Sequence, residues 1–172
     1  MDYVRWGRIE GFPTYAVSDH GHILNMKTDH LVRISYTMQG NAKVSLDAPR
    51  AVDAPRSRST LSVARLVALA FVEPPNPFCT HVIVLNGNMA DLRAENLAWR
   101  PSSFAWRYTR QMREGQPGYF YSLQLMDITT DLMYQNVVSA GQELGLLFVD
   151  IWRSTYTGES VYPSQSIFRV VG

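Results

Sequence analysis

The strongest amphipathic segment of this chain is cut off almost as soon as it forms. Val63, Leu66, Val67, Ala70 and Phe71 recur at helical spacing, so residues 61–72 predict a buried helix. Pro74-Pro75-Asn76-Pro77 then stops it, because proline lacks an amide hydrogen and denies helical geometry to the residue before it. No apolar run reaches 18 residues, so a membrane span is not expected. What remains possible is a mixed fold of short elements. With 172 residues, 46% hydrophobic and 18% charged, the chain is globular in composition and long enough for one ordinary domain or two small ones.

The remaining segments fit that expectation. Tyr15-Ala16-Val17-Ser18 and His22-Ile23-Leu24-Asn25 read as strands around an Asp19-His20-Gly21 turn. Leu31–Tyr36 and Ala42–Leu46 flank Gln39-Gly40-Asn41, a second hairpin signal. Residues 47–60 hold the near-repeat Asp47-Ala48-Pro49-Arg50 and Asp53-Ala54-Pro55-Arg56, and read as an exposed loop. A strand over 80–85 precedes the turn Asn86-Gly87-Asn88. A short helix is expected next, capped by Asn88 or Asp91 and carrying Leu92 and Leu97 inward, with Trp99 and Trp106 as packing anchors. Gln116-Pro117-Gly118 marks a boundary. Beyond it the pattern is a strand over 119–126, a helix over 137–144 with Asn136 as N-cap and Gly145 at its left-handed end, a second helix over roughly 149–156, and a strand over 166–171. Two short helices meeting at a glycine suggest either a helix-turn-helix or a plain helical hairpin.

Charge and cysteine usage restrict function. The single Cys79 excludes an intrachain disulfide and a multi-cysteine zinc site. Met1-Asp2-Tyr3-Val4-Arg5-Trp6 lacks the pattern of a signal peptide, so a reducing cytoplasm is the expected setting. Residues 1–113 carry 14 basic and 9 acidic side chains, and residues 114–172 carry 2 and 6. A chain dedicated to nucleic acid usually shows a strong basic surplus; here it is modest in the first part and reversed in the second. His20, His22 and His30 lie close in sequence but read as a solvated hairpin edge, and no Gly-rich phosphate loop is present.

Three stretches together resemble the HNH homing endonucleases of phages and their associated DNA-binding modules. Residues 6–25 match, in their Trp, Ile, Gly-Phe, Tyr-x-Val-Ser, Gly and Asn spacing, the module that precedes many such nucleases. Ala64–Phe71, followed by Val82–Trp99 ending in Asn96-Leu97-Ala98-Trp99, is similar to the HNH segment. Residues 126–170 are similar to a C-terminal helix-turn-helix module. The resemblance implies an α+β fold. It would comprise a small N-terminal antiparallel sheet (1–60), a ββα-like HNH remnant (61–113) and a C-terminal β-α-α-β module (114–172).

HNH chemistry needs a histidine general base and polar ligands for a divalent metal. The resemblance puts Ile83 where the metal-binding Asp belongs, Val84 where the base belongs, and Ala105 where the family often has a further ligand. Gly87, Asn96 and Trp99 are kept as shape-holding residues. The leading expectation is therefore a catalytically inactive, HNH-derived phage protein. It would have no cofactor and no metal, and would be reused as a binding or structural component in the infected cell or the virion, with a phage or host protein as partner. One alternative is a non-cleaving DNA-binding protein using Arg50, Arg56, Arg58, Arg65, Arg100, Arg107, Arg110 and Arg113. Another is an active nuclease rebuilt from His81, Asp91 and Glu95. Trp152 and Tyr156, four residues apart on the second helix, are candidate protein contacts if exposed and core if buried.

Overall fold

The computed structural model describes residues 3–49 and 57–172. The chain divides into two compact units, one of Met1–Val84 with Asn88–Pro101 and one of Leu85–Gly87 with Ser102–Gly172. The expected boundary at Gln116-Pro117-Gly118 falls inside the second.

Among the described residues, the first unit contains three antiparallel sheets and one α-helix. Strands β1 (Trp6–Ile9), β2 (Phe12–Ser18), β3 (Ile23–Asn25) and β4 (His30–Leu31) pair in chain order. β5 (Ser35–Tyr36), β6 (Ala42–Asp47) and β7 (Arg58–Ser62) form a second sheet. β6 shows period-two burial, with Ala42, Val44 and Leu46 inward and Ser45 and Asp47 exposed. The expected loop over 47–60 is thus corrected at its end. Arg58–Ser62 is a strand whose β-branched and serine residues pair with β6, whereas Arg50 and residues 51–56 lie outside the described part. Helix α1 (Val63–Phe71) buries Val63, Leu66, Val67 and Ala68 in the core, while Ala70 is exposed and Phe71 only half-buried. Each fully buried valine or leucine side chain contributes about 1.5–3 kcal/mol relative to an exposed one.

Strands β8 (His81–Val84) and β9 (Leu97–Arg100) make a two-stranded sheet. The helix expected between them is only a 3-10 turn, Ala94–Asn96. Asn88 still organises the preceding loop, with Oδ1 accepting from the Ala90 amide, and Leu92 and Leu97 are buried. An Asx-type turn at 88–90 diverts the chain before helical hydrogen bonds can propagate.

The second unit begins with α2 (Ser102–Arg113), then α3 (Tyr119–Ser122), β10 (Gln124–Asp127), β11 (Leu132–Tyr134), α4 (Val137–Leu144), α5 (Phe148–Thr157) and β12 (Phe168–Val171), with sheet order β11-β10-β12. The single strand expected over 119–126 is split, because the segment from Pro117 closes a helical turn through the Phe120 and Tyr121 amides. In α4, Asn136 Oδ1 accepts from the Ser139 amide and Ser139 Oγ accepts from the Asn136 amide, a reciprocal cap. Gly145 ends α4 at φ 64°. Leu125, Val137, Ala140, Leu146, Ile151 and Phe168 form the core. No helix among the described residues is long and apolar enough to cross a membrane.

Candidate functional site

In the HNH-like segment, the positions assigned to chemistry are apolar and buried. Ile83 is 1% exposed, opposite Ala98 in the β8–β9 ladder. Val84 is buried opposite Leu97, and Ala105 is buried on α2. None of these three side chains can ligate a divalent cation or accept a proton.

The shape-holding residues occupy structural roles. Asn96 is 7% exposed, and its Nδ2 donates to Asp91 O at 2.8 Å, bracing the β8–β9 loop. Gly87 adopts φ 75°, in the left-handed region that favours glycine. Trp99 is buried, its Nε1 donates to Val72 O at 2.7 Å, and the Arg65 guanidinium lies 5.5 Å from its ring centroid. Trp106, expected as a second packing anchor, is instead 64% exposed.

His81, Asp91 and Glu95 are not gathered into a site. His81 is exposed at the start of β8, its Nδ1 3.0 Å from Thr80 Oγ1. Asp91 takes two bonds from Arg93, at 2.8 and 2.9 Å, and Glu95 takes one at 2.8 Å. The hydrogen-bonded Asp91, and then the charges of Asp91 and Glu95, raise the Arg93 pKa above its ordinary value. Among the described residues no group of three His, Cys, Asp or Glu side chains is arranged to hold a metal ion.

The N-terminal motif is a hairpin specification. Buried Ser18 accepts through Oγ from the amides of His20 and His22, and Gly21 turns the chain at φ 86°. Asn25 Oδ1 accepts from the Lys27 amide. Asp19 receives the Arg5 side chain and amide and lies 2.8 Å from His20 Nδ1. The Arg5 guanidinium, then His20, hold its carboxyl down at about 2. No sequence signal singled out this ion pair.

The candidate arginines fall into distinct classes. Arg50 and Arg56 lie outside the described residues. Arg58 pairs with Asp47 at 3.0 Å, and Arg65 Nη1 donates to Thr80 O at 2.8 Å. Arg100 is not on the surface as expected: it is 8% exposed, with Nη1 donating to Trp99 O. Arg107, Arg110 and Arg113 project from the exposed side of α2 beside Trp106. Arg110 lies over the Trp106 ring at 5.3 Å and pairs with Glu114 at 2.6 Å. Arg107 and Arg113 have no ion pair among the described residues.

On α5, Trp152 and Tyr156 separate. Trp152 is half-buried against Tyr119 and Phe120, with ring centroids at 5.0 and 6.1 Å, whereas Tyr156 is 69% exposed. The helix's one arginine, Arg153, is bound by Asp150 at 2.8 Å.

No protein-family model matches this chain. A protein of Acanthamoeba polyphaga mimivirus described as an uncharacterized HNH endonuclease is 36% identical over 96 residues, which is 55% of this chain and 23% of that protein. The chain therefore spans about a quarter of that relative's length. The HNH homing endonuclease I-HmuI, in a structure described by its DNA binding and cleavage, matches 97% of this chain and 98% of its own with a TM-score of 0.53 and 18% identity. The mixed α and β architecture derived above is thus the fold of an HNH homing endonuclease, carried by a chain whose sequence is HNH-endonuclease-like.

Proposed function

We propose that this chain is a non-cleaving binding protein built on the HNH fold, holding nucleic acid on the exposed side of α2. The observation that carries the reading is the burial of Ile83, Val84 and Ala105 at the positions where HNH chemistry would sit, beside an intact Asn96 brace. Losing chemistry while keeping the scaffold is what selection for binding alone leaves behind. On α2, Trp106, Arg107, Arg110 and Arg113 offer cations and an aromatic face to phosphates and bases. Helix α5 offers little of this, since Asp150 already occupies Arg153. The test is supercoiled plasmid incubated with Mg²⁺ or Mn²⁺, together with nucleic-acid binding measured against salt. The plasmid should stay intact while binding weakens as salt rises. Nicking that disappears in His81→Ala would overturn the reading in favour of a rebuilt nuclease.

A second reading is a structural or virion component with a phage or host protein partner. Tyr156 and Val149, 69% and 54% exposed on α5, favour it, because exposed aromatic residues anchor protein interfaces. A pull-down from infected cells, with and without nuclease treatment, separates the two. A partner retained after nuclease supports the protein role.

A further inference from the structure

The cleft beside α2 points to a more specific ligand. Within the second unit, a cavity of about 350 Å³ opens between α2 and the start of α5. Its floor is apolar: Phe120, Leu147 and Phe148. Its α2 wall carries Trp106, Arg107 and Arg110. Gln111 fixes the two sides together, with Nε2 donating to Leu146 O at 3.0 Å and Oε1 accepting from the Phe148 amide at 2.9 Å. The walls are therefore built in place by hydrogen bonds.

Resting on the proposed nucleic-acid role of α2, we infer that this cleft holds an unstacked nucleotide of a single-stranded nucleic acid. Three features select that ligand. Arg107 at the wall has no ion pair among the described residues, and its guanidinium, with that of Arg110, suits an anion. Glu114 is the one acidic residue of the cleft, and its pair with Arg110 is exposed on both sides, so a phosphate can displace it. The apolar floor and the Trp106 ring, 64% exposed with the Arg110 guanidinium 5.3 Å from its centroid, suit a flat aromatic body, as stacking platforms for bases do. The volume, near the lower end of the roughly 300–1,000 Å³ of small-ligand pockets, admits one nucleotide. A duplex keeps its bases paired and stacked and cannot deliver one there without unpairing it.

The experiment is fluorescence anisotropy of the full chain with labelled oligothymidylate of 20 nucleotides, and with a 20-base-pair duplex, at low and moderate salt. The single strand should bind more tightly than the duplex. Trp106→Ala should weaken single-strand binding by about 5- to 150-fold, the scale of one lost base stack, with little effect on the duplex. Trp106→Tyr should restore most of the affinity, and the double variant Arg107→Ala/Arg110→Ala should flatten the salt dependence. Unchanged thermal melting of the Trp106 variants shows that folding is intact. Duplex binding without single-strand binding, or single-strand binding indifferent to Trp106→Ala, overturns this inference while leaving the wider nucleic-acid role standing. No binding to either form overturns both. Trp106-dependent capture of a peptide rich in Asp and Phe, with no oligothymidylate binding, assigns the cleft to protein instead.

Discussion

Replacing Asn96 by aspartate changes one group and no shape. The Nδ2 amide that donates to Asp91 O at 2.8 Å becomes an oxygen, so two acceptors face each other at that separation in a residue 7% exposed. Leaving a buried acceptor without its donor costs about 1–3 kcal/mol, and the new charge adds to that at neutral pH. Asn96→Ala removes the donor without adding charge. The order of stability at pH 7 should therefore be wild type, then Asn96→Ala, then Asn96→Asp. For a chain of this length 1–3 kcal/mol lowers Tm by about 2–12 °C. The pH dependence supplies the stricter check. The new carboxyl is disfavoured when ionised, so its folded pKa lies above its unfolded value of about 3.9. Destabilisation is small below the unfolded value, grows as pH rises through the gap between the two, and levels off above the folded value. Near pH 4 the protonated acid can donate to Asp91 O, and the Asp variant should recover toward wild type. Urea unfolding followed by tryptophan fluorescence at pH 4 and pH 7 measures this. An Asp variant as stable as wild type at pH 7, or a gap that does not change with pH, refutes the brace.

Other outcomes follow from single contacts. Asp19→Asn should lower stability above about pH 4, and the difference from wild type should vanish as pH falls toward 2, because the Asp19 carboxyl is held down at about 2 by Arg5 and His20; acid titration of both proteins by circular dichroism checks it. Gly141→Ala should destabilise by about 1–3 kcal/mol, since an added Cβ runs into the Phe148 ring; a thermal melt reads it. Asn136→Ala should cost about 1 kcal/mol through loss of the α4 cap, measured by urea midpoint.

What the sequence disclosed depended on whether the deciding forces were local. Helix α4 was legible to the residue, since Asn136, Ser139 and Gly145 specify both its ends within one segment. The apolar residues at the positions that the resemblance assigns to chemistry were equally plain, because Ile83 and Val84 fall three and two residues before the Asn86-Gly87 turn. Helix α2 was not foreseen. Its buried face is only Phe104, Ala105 and Tyr108, and its remaining support is polar and distant in sequence: the Tyr108 hydroxyl donates to Leu85 O at 2.8 Å and Gly141 O at 3.1 Å. Periodicity cannot show a helix held by hydrogen bonds to residues 23 and 33 positions away. Strand β7 was missed for a similar reason, its polar sequence being paired only through the distant β6. The exposure of Trp106 and the burial of Arg100 invert composition-based expectation, and both matter for where a ligand can sit.

The Gln111 amide has a consequence for how this fold can be divided. By joining Leu146 O and the Phe148 amide, it makes α2 part of the turn between α4 and α5. The glycine and proline residues at 115–118 look like a natural place to cut, yet a fragment starting there leaves that turn without its amide partner and strips Tyr108 from Gly141 O. A transplantable C-terminal piece must therefore begin near Ser102 and carry α2 with it. Shuffling between relatives at the apparent hinge would separate groups that only close each other's hydrogen bonds when inherited together.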